Sequence, residues 1–129
     1  MALILNLETS TKKCSVCLAD KGEIISLEEI NEGQFTHAEK LHLFIEHVFL
    51  ESGLSMNSLD AVAVSKGPGS YTGLRIGVSA AKGLCFALDK PLIAIDTLEI
   101  LARAVSTENY SFIVPMIDAR RMEVYSAVF

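Results

Sequence analysis

The chain has 129 residues, 50% of them hydrophobic and 21% charged, a size and balance that fit one globular unit and exclude a disordered tail or fibrous repeat. Its net charge of −5 is concentrated between Glu23 and Glu51, where seven acids face the single base Lys40, so this stretch repels nucleic-acid backbones. No tract approaches the roughly 18 apolar residues of a membrane span, residues 1–7 lack the basic start of a signal peptide, and three cysteines are too few for a secreted disulfide framework; the cytoplasm is the expected location.

Residues 1–9 are apolar and β-leaning, and residues 10–13 form a short polar turn. Cys14–Asp20 and Glu23–Ile30 read as the next two strands, and their close spacing forces an antiparallel meander. Cys14 and Cys17 form a C-x-x-C. Within a strand an odd separation sends the two side chains to opposite faces, so packing thiols are expected rather than a redox pair. Thr36 is expected to cap a helix over His37–Ser52, with Glu39 at its third position and Gly53 as its stop. Residues 61–65 (AVAVS) read as a strand buried on both faces. A glycine-rich loop over residues 66–70 leads to a second helix over Tyr71–Leu88. Residues 91–95 form a further strand, and residues 97–105 a short helix capped by Thr97.

The order βββαβαβα predicts an α/β fold: a mixed five-stranded sheet with helices packed on it, in the ribonuclease-H-like arrangement of the actin, Hsp70 and sugar-kinase superfamily. Residues 112–118 then form an apolar strand ending in Asp118, followed by Ala119-Arg120-Arg121 and another strand over 122–129. This repeats the grammar of the N-terminus. Residues 1–108 are therefore expected to form a first lobe, and residues 109–129 the opening hairpin of a second lobe that breaks off in mid-strand.

The stretch Lys66-Gly67-Pro68-Gly69-Ser70-Tyr71-Thr72-Gly73-Leu74-Arg75-Ile76-Gly77 carries the most information. A strand running through glycines into a helix N-terminus is a common anion-site design. The named phosphate motifs fail here. Five residues, not four, separate Gly67 from Gly73, and Thr72 stands where a dinucleotide fingerprint needs its third glycine. What remains is a candidate anion or nucleotide contact involving Glu8, Ser10, Gly67, Gly69, Ser70, Thr72 and Arg75.

The second helix offers another role. At 100° per residue, Gly73, Gly77, Ala80, Ala81 and Leu84 fall on one stripe. Helical glycines cost roughly 1 kcal/mol each against alanine, and close approach of another backbone is the usual compensation. On the first helix, Ala38, Leu41, Phe44, Ile45, Val48 and Phe49 form the core face, while Leu43 and Leu50 lie opposite, among Glu39, Glu46 and His47. Two helices apolar on two sides suggest a bundle completed by another chain. The expected partner-binding residues are Leu43, His47, Leu50, Gly73, Gly77, Ala80, Ala81 and Leu84.

No catalytic residue and no metal site is expected. His37, His42 and His47 are five apart, so successive ones are rotated by about 140° and none share the i, i+4 geometry of a helical metal pair. Glu8 and Asp118 each end a strand beside a turn, where acids serve a metal–phosphate group in this superfamily but also serve as ordinary turn residues.

These residues resemble the TsaB (YeaZ) family. The resemblance rests on Glu8-Thr9-Ser10-Thr11 with Cys14-Ser15-Val16, on the run from Ser65 to Gly77, and on Asp118-Ala119-Arg120-Arg121 with Glu123-Val124-Tyr125, in register over essentially the whole chain. The family opening commonly carries Asp at the position of Glu8, which weakens a phosphate–metal role there. The resemblance implies two ASKHA-type lobes. It also implies a non-catalytic subunit that pairs through its N-terminal-lobe helices with TsaD, the enzyme that transfers a threonylcarbamoyl group to adenosine 37 of tRNA. A TsaE-like ATPase joins them, and tRNA is met only indirectly. ATP or ADP would then belong to a complex interface, with no cofactor of the chain's own. Glycoprotease-like peptidases, with which the family was once grouped, take their metal from an H-x-x-x-H pair that this chain lacks. Two alternatives stand beside the scaffold reading: an ASKHA-type ATPase or phosphotransferase, and a glycoprotease-like metallopeptidase. An unpaired helical seam also permits homodimerisation when the partner is absent.

Overall fold

A computed structural model of the chain describes residues 2–31, 37–105 and 108–129. Its elements are β1 (Leu3–Glu8), β2 (Cys14–Asp20), β3 (Glu23–Ile30), α1 (His37–Ser52), a 3-10 turn at Met56–Ser58, β4 (Ala61–Gly67), α2 (Tyr71–Leu88), β5 (Leu92–Asp96), α3 (Thr97–Arg103), β6 (Met116–Arg120) and β7 (Glu123–Ser126). The expected meander and crossovers give a five-stranded sheet in the order β3-β2-β1-β4-β5. β1, β2 and β3 pair antiparallel, whereas β1–β4 and β4–β5 pair parallel, because each of the last two connections passes through a helix.

One face of the sheet carries the core. Leu3, Leu5 and Leu7 alternate with half-buried residues along β1, and Cys14, Val16 and Leu18 do so along β2. They pack with Val62 and Val64 of β4 against Leu41, Ile45, Val48 and Phe49 of α1 and Ala81 of α2. Full burial of a leucine such as Leu41 contributes on the order of 2 kcal/mol. Cys14 faces this core, and burial pushes its thiol up to about 11; Cys17 lies on the opposite face, as the odd spacing requires. Among the described residues, no helix is long and apolar enough to cross a membrane.

Several boundaries differ from expectation. The third helix ends at Arg103, and its cap is Asp96 rather than Thr97: Asp96 Oδ1 accepts from the amides of Leu98 at 2.9 Å and Glu99 at 3.4 Å. Aspartate is a strong cap, and it leaves Thr97 as the first helical residue. β6 begins at Met116 instead of residue 112, since Pro115 has no amide to donate to a ladder. Pairing nevertheless resumes beyond it, with Ile113 and Phe129 exchanging two backbone bonds of 2.9 Å. Gly53 ends α1 in the left-handed region at φ +71, as expected, while the Thr36 cap lies outside the described residues. β6 and β7 form a separate two-stranded sheet.

Candidate functional site

The C-terminal ends of β1 and β4 emerge side by side, because parallel pairing sets Leu7 beside Val64. Glu8 and Ser65 are therefore neighbours, and Ser65 Oγ donates to Glu8 Oε1 at 2.8 Å. The same oxygen accepts from the Ser10 amide at 2.9 Å and from Ser10 Oγ. Three donors on one carboxylate oxygen make Glu8 an internal clasp of its own turn.

The glycine loop folds over this turn. The Ser70 amide donates to the Ser10 carbonyl at 2.7 Å, and a Cβ on Gly69 would stand 2.4 Å from that carbonyl oxygen, so only glycine fits. Ser70 Oγ accepts from the Gly73 amide at 3.2 Å and caps α2. Gly67 sits at φ +120, where side chains are rarely tolerated.

The small-residue stripe of α2 proves to face inward. A Cβ on Gly73 would meet Thr9 O at 2.1 Å, and one on Gly77 would meet Thr9 Oγ1 at 2.2 Å. Thr9 Oγ1 also donates to the Gly73 carbonyl at 2.7 Å. Gly73, Gly77 and Ala81 are buried against their own sheet and are thereby corrected as residues open to a partner. The helical cost of the glycines is offset by this close approach of the β1 end. Thr9 escaped the sequence reading. Its only signal was two glycines four apart on the helix that follows a parallel strand.

Ala80 and Leu84 remain half-exposed. With Ala38 and His42 of α1, and Ile76 and Gly83 of α2, they line an open, mostly apolar groove of about 710 Å³ between the two helices. On the outer side of α1, Leu43 and Leu50 are 54% and 78% exposed, and His47 Nδ1 lies 3.4 Å from Glu28 Oε1 on β3. The three histidines point to three places: His37 is buried and donates from Nε2 to the Thr11 carbonyl, His42 lines the groove, and His47 faces β3.

A second cleft, of about 530 Å³, lies between the β1–β2 turn and the β6–β7 turn. Ser10, Gly69, Ser70 and Thr72 line it from one side, and Asp118 and Arg120 from the other. Asp118 Oδ1 accepts from the Arg120 amide at 2.7 Å, so it orders its own turn. Glu8, Gly67 and Arg75 are not among the cleft-lining residues. Arg75 instead lines the helix groove, with its guanidinium 5.3 Å from the centre of the Tyr71 ring. Lys12, Tyr71 and Tyr125, which were not among the expected site residues, also line the cleft, with Thr11, Ile117 and Ala119.

Residues 31–129 match the family model described as TsaD, tRNA N6-adenosine threonylcarbamoyltransferase. The chain belongs to that family. Proteins named TsaB are among the relatives that match over nearly the whole chain. The tRNA threonylcarbamoyladenosine biosynthesis protein TsaB of Haemophilus influenzae is 41% identical over 95% of this chain, and that of Escherichia coli is 33% identical over 98%. A tRNA N6-adenosine threonylcarbamoyltransferase of Zymomonas mobilis is 37% identical over 77% of the chain and 31% of its own length. Two solved structures superpose on the whole chain. One, an uncharacterized protein with similarity to peptidase YEAZ from Pseudomonas aeruginosa, does so at TM-score 0.90 and 35% identity; the other, YeaZ from Pseudomonas aeruginosa, at 0.86 and 37%. The chain covers 59% of each structure, 51% of the Haemophilus TsaB and 54% of the Escherichia one. The chain spans about half the length of the curated relatives it matches.

Proposed function

We propose that the chain is the docking lobe of a non-catalytic subunit, which binds a TsaD-like threonylcarbamoyltransferase and supports formation of N6-threonylcarbamoyladenosine at position 37 of tRNA in the cytoplasm. The observation that carries this reading is the α1–α2 surface. An apolar groove opens between the helices, and on the outer side of α1 two leucines stand in solvent on an otherwise charged helix face. Apolar surface rimmed by charge is the usual anatomy of a protein contact. Ala80, Leu84, Leu43, His47 and Leu50 form the docking set, while Gly73, Gly77 and Ala81 support it from beneath. A TsaE-like ATPase completes the assembly, and tRNA affinity comes mainly from the partner, because Glu39 and Glu46 lie on this face. Without a partner the same surface pairs two copies of the chain.

The test is co-elution of the subunit with its TsaD-like partner at micromolar concentration, in parental form and as the Leu43→Asp/Leu50→Asp double variant. A complex that the double variant fails to form supports the reading; no parental complex refutes it.

A phosphotransferase reading draws on the cleft between the two turns, which brings Lys12 and Arg120 to one space. It predicts magnesium-ATP binding by the isolated protein, measured by calorimetry, whereas the docking reading places nucleotide only at a subunit junction. The peptidase reading predicts stoichiometric metal in purified protein; the divergent directions of the three histidines argue against it.

A further inference from the structure

The groove between α1 and α2 is lined by small or half-exposed residues such as Ala38, Ala80 and Gly83, above the apolar core that Leu41, Ile45 and Phe49 of α1 share with Ala81 of α2. Polar ties also run beneath the groove. His37, the first residue of α1, donates to the Thr11 carbonyl. Thr9 Oγ1 donates to the Gly73 carbonyl in the first turn of α2, and the Ser10 carbonyl accepts the amide of Ser70, the α2 cap. Three consecutive residues of one turn thus reach the N-terminal ends of both helices. The fit has no slack: Thr9 oxygens lie 2.1 and 2.2 Å from where Cβ atoms of Gly73 and Gly77 would be, and the Gly73 site is 3.1 Å from the His37 ring. Thr9 and His37 are both buried, so neither belongs to the surface a partner would touch.

We propose that Thr9 and His37 are positioning residues that set the spacing and tilt of α1 against α2, and thereby tune the docking face from inside the lobe. The link to docking rests on the function proposed above; the effect on helix spacing does not. Threonine is suited to this task because its hydroxyl both holds the α2 carbonyl and sits against Gly77, where its methyl group adds an ordinary contact, 3.4 Å from the place of a Cβ, while its backbone carbonyl sits against Gly73. Valine keeps that shape without the donor, and serine keeps the donor without the methyl group.

The experiment measures the distance between spin labels on His42→Cys and Ser79→Cys, two exposed groove positions, with Cys17 and Cys85 changed to serine. In this background Thr9→Val is expected to shift and broaden the distance distribution, and Thr9→Ser to keep the parental one. His37→Phe against His37→Gln repeats the comparison from α1 if Thr9→Val does not fold. Parental distances in folded Thr9→Val and His37→Phe chains overturn the proposal. Affinity for the TsaD-like subunit is then read on the unlabelled variants, where Thr9→Val should weaken binding about tenfold while Thr9→Ser stays near parental. A parental protein that binds no partner refutes the docking reading, and the label distances still decide the positioning role. Altered distances with unchanged affinity overturn the tuning.

Discussion

α1 and α2 look alike on a helical wheel, each apolar on two sides, yet they use the second side in opposite ways. α2 turns Gly73 and Gly77 inward onto Thr9 and buries Ala81, leaving only Ala80 and Leu84 of its small-residue stripe half-exposed. α1 leaves Leu43 and Leu50 in solvent among acidic residues. Small residues on a helix report that some backbone comes close, without saying whose. Large apolar residues on a charged face report that no neighbour within the chain covers them.

Gly73→Ala should break this comparison hardest. Helix propensity alone favours the substitution by about 1 kcal/mol. A Cβ 2.1 Å from the Thr9 carbonyl demands backbone movement, and the net loss should reach about 3 kcal/mol in chemical denaturation. A stabilised variant would mean that the seat is loose and the inward face is not the constraint. Glu8→Ala removes the acceptor of Ser10 and Ser65 and should cost about 2 kcal/mol, with nucleotide binding no different from the parent.

Cys14 sharpens the picture of the core from its other side. An unfolded thiol ionises near 9.0, whereas burial keeps this one protonated until about 11. The unfolded chain therefore loses its proton first. The Cys14 contribution is intact below pH 9 and declines as pH rises towards 11, by about 1 kcal/mol at pH 10. The pH dependence of unfolding, compared with that of Cys14→Ala, reads this directly; identical alkaline slopes would refute it. Leu50→Asp should change stability least, within about 0.5 kcal/mol, while weakening partner co-elution. A large loss of stability would show that Leu50 supports the fold rather than a contact.

Much of the architecture was legible from local pattern. Alternation defined Cys14–Asp20 and Glu23–Ile30, the 3.6-residue period defined His37–Ser52 and Tyr71–Leu88, and the order of elements implied the mixed sheet. Boundaries failed where one residue's chemistry outweighed the pattern. Asp96 took the cap expected of Thr97, and Pro115 delayed β6. The candidate site was less legible because its bonds join distant residues. Thr9 and Gly73 are 64 positions apart, and Glu8 and Ser65 are 57 apart. A strand-end acid beside a glycine loop suits an anion site and an internal clasp equally well until its donors are known.

The amino-acid pattern alone determined which segments are helices and strands, how the strands connect, and that α2 must accept something at close range. Tertiary structure decided that this neighbour is the chain's own β1 end, and that Leu43 and Leu50 remain uncovered. The physical reason is that periodicity encodes the direction in which a side chain leaves its helix, whereas the atom it meets depends on a strand whose position only the folded sheet defines.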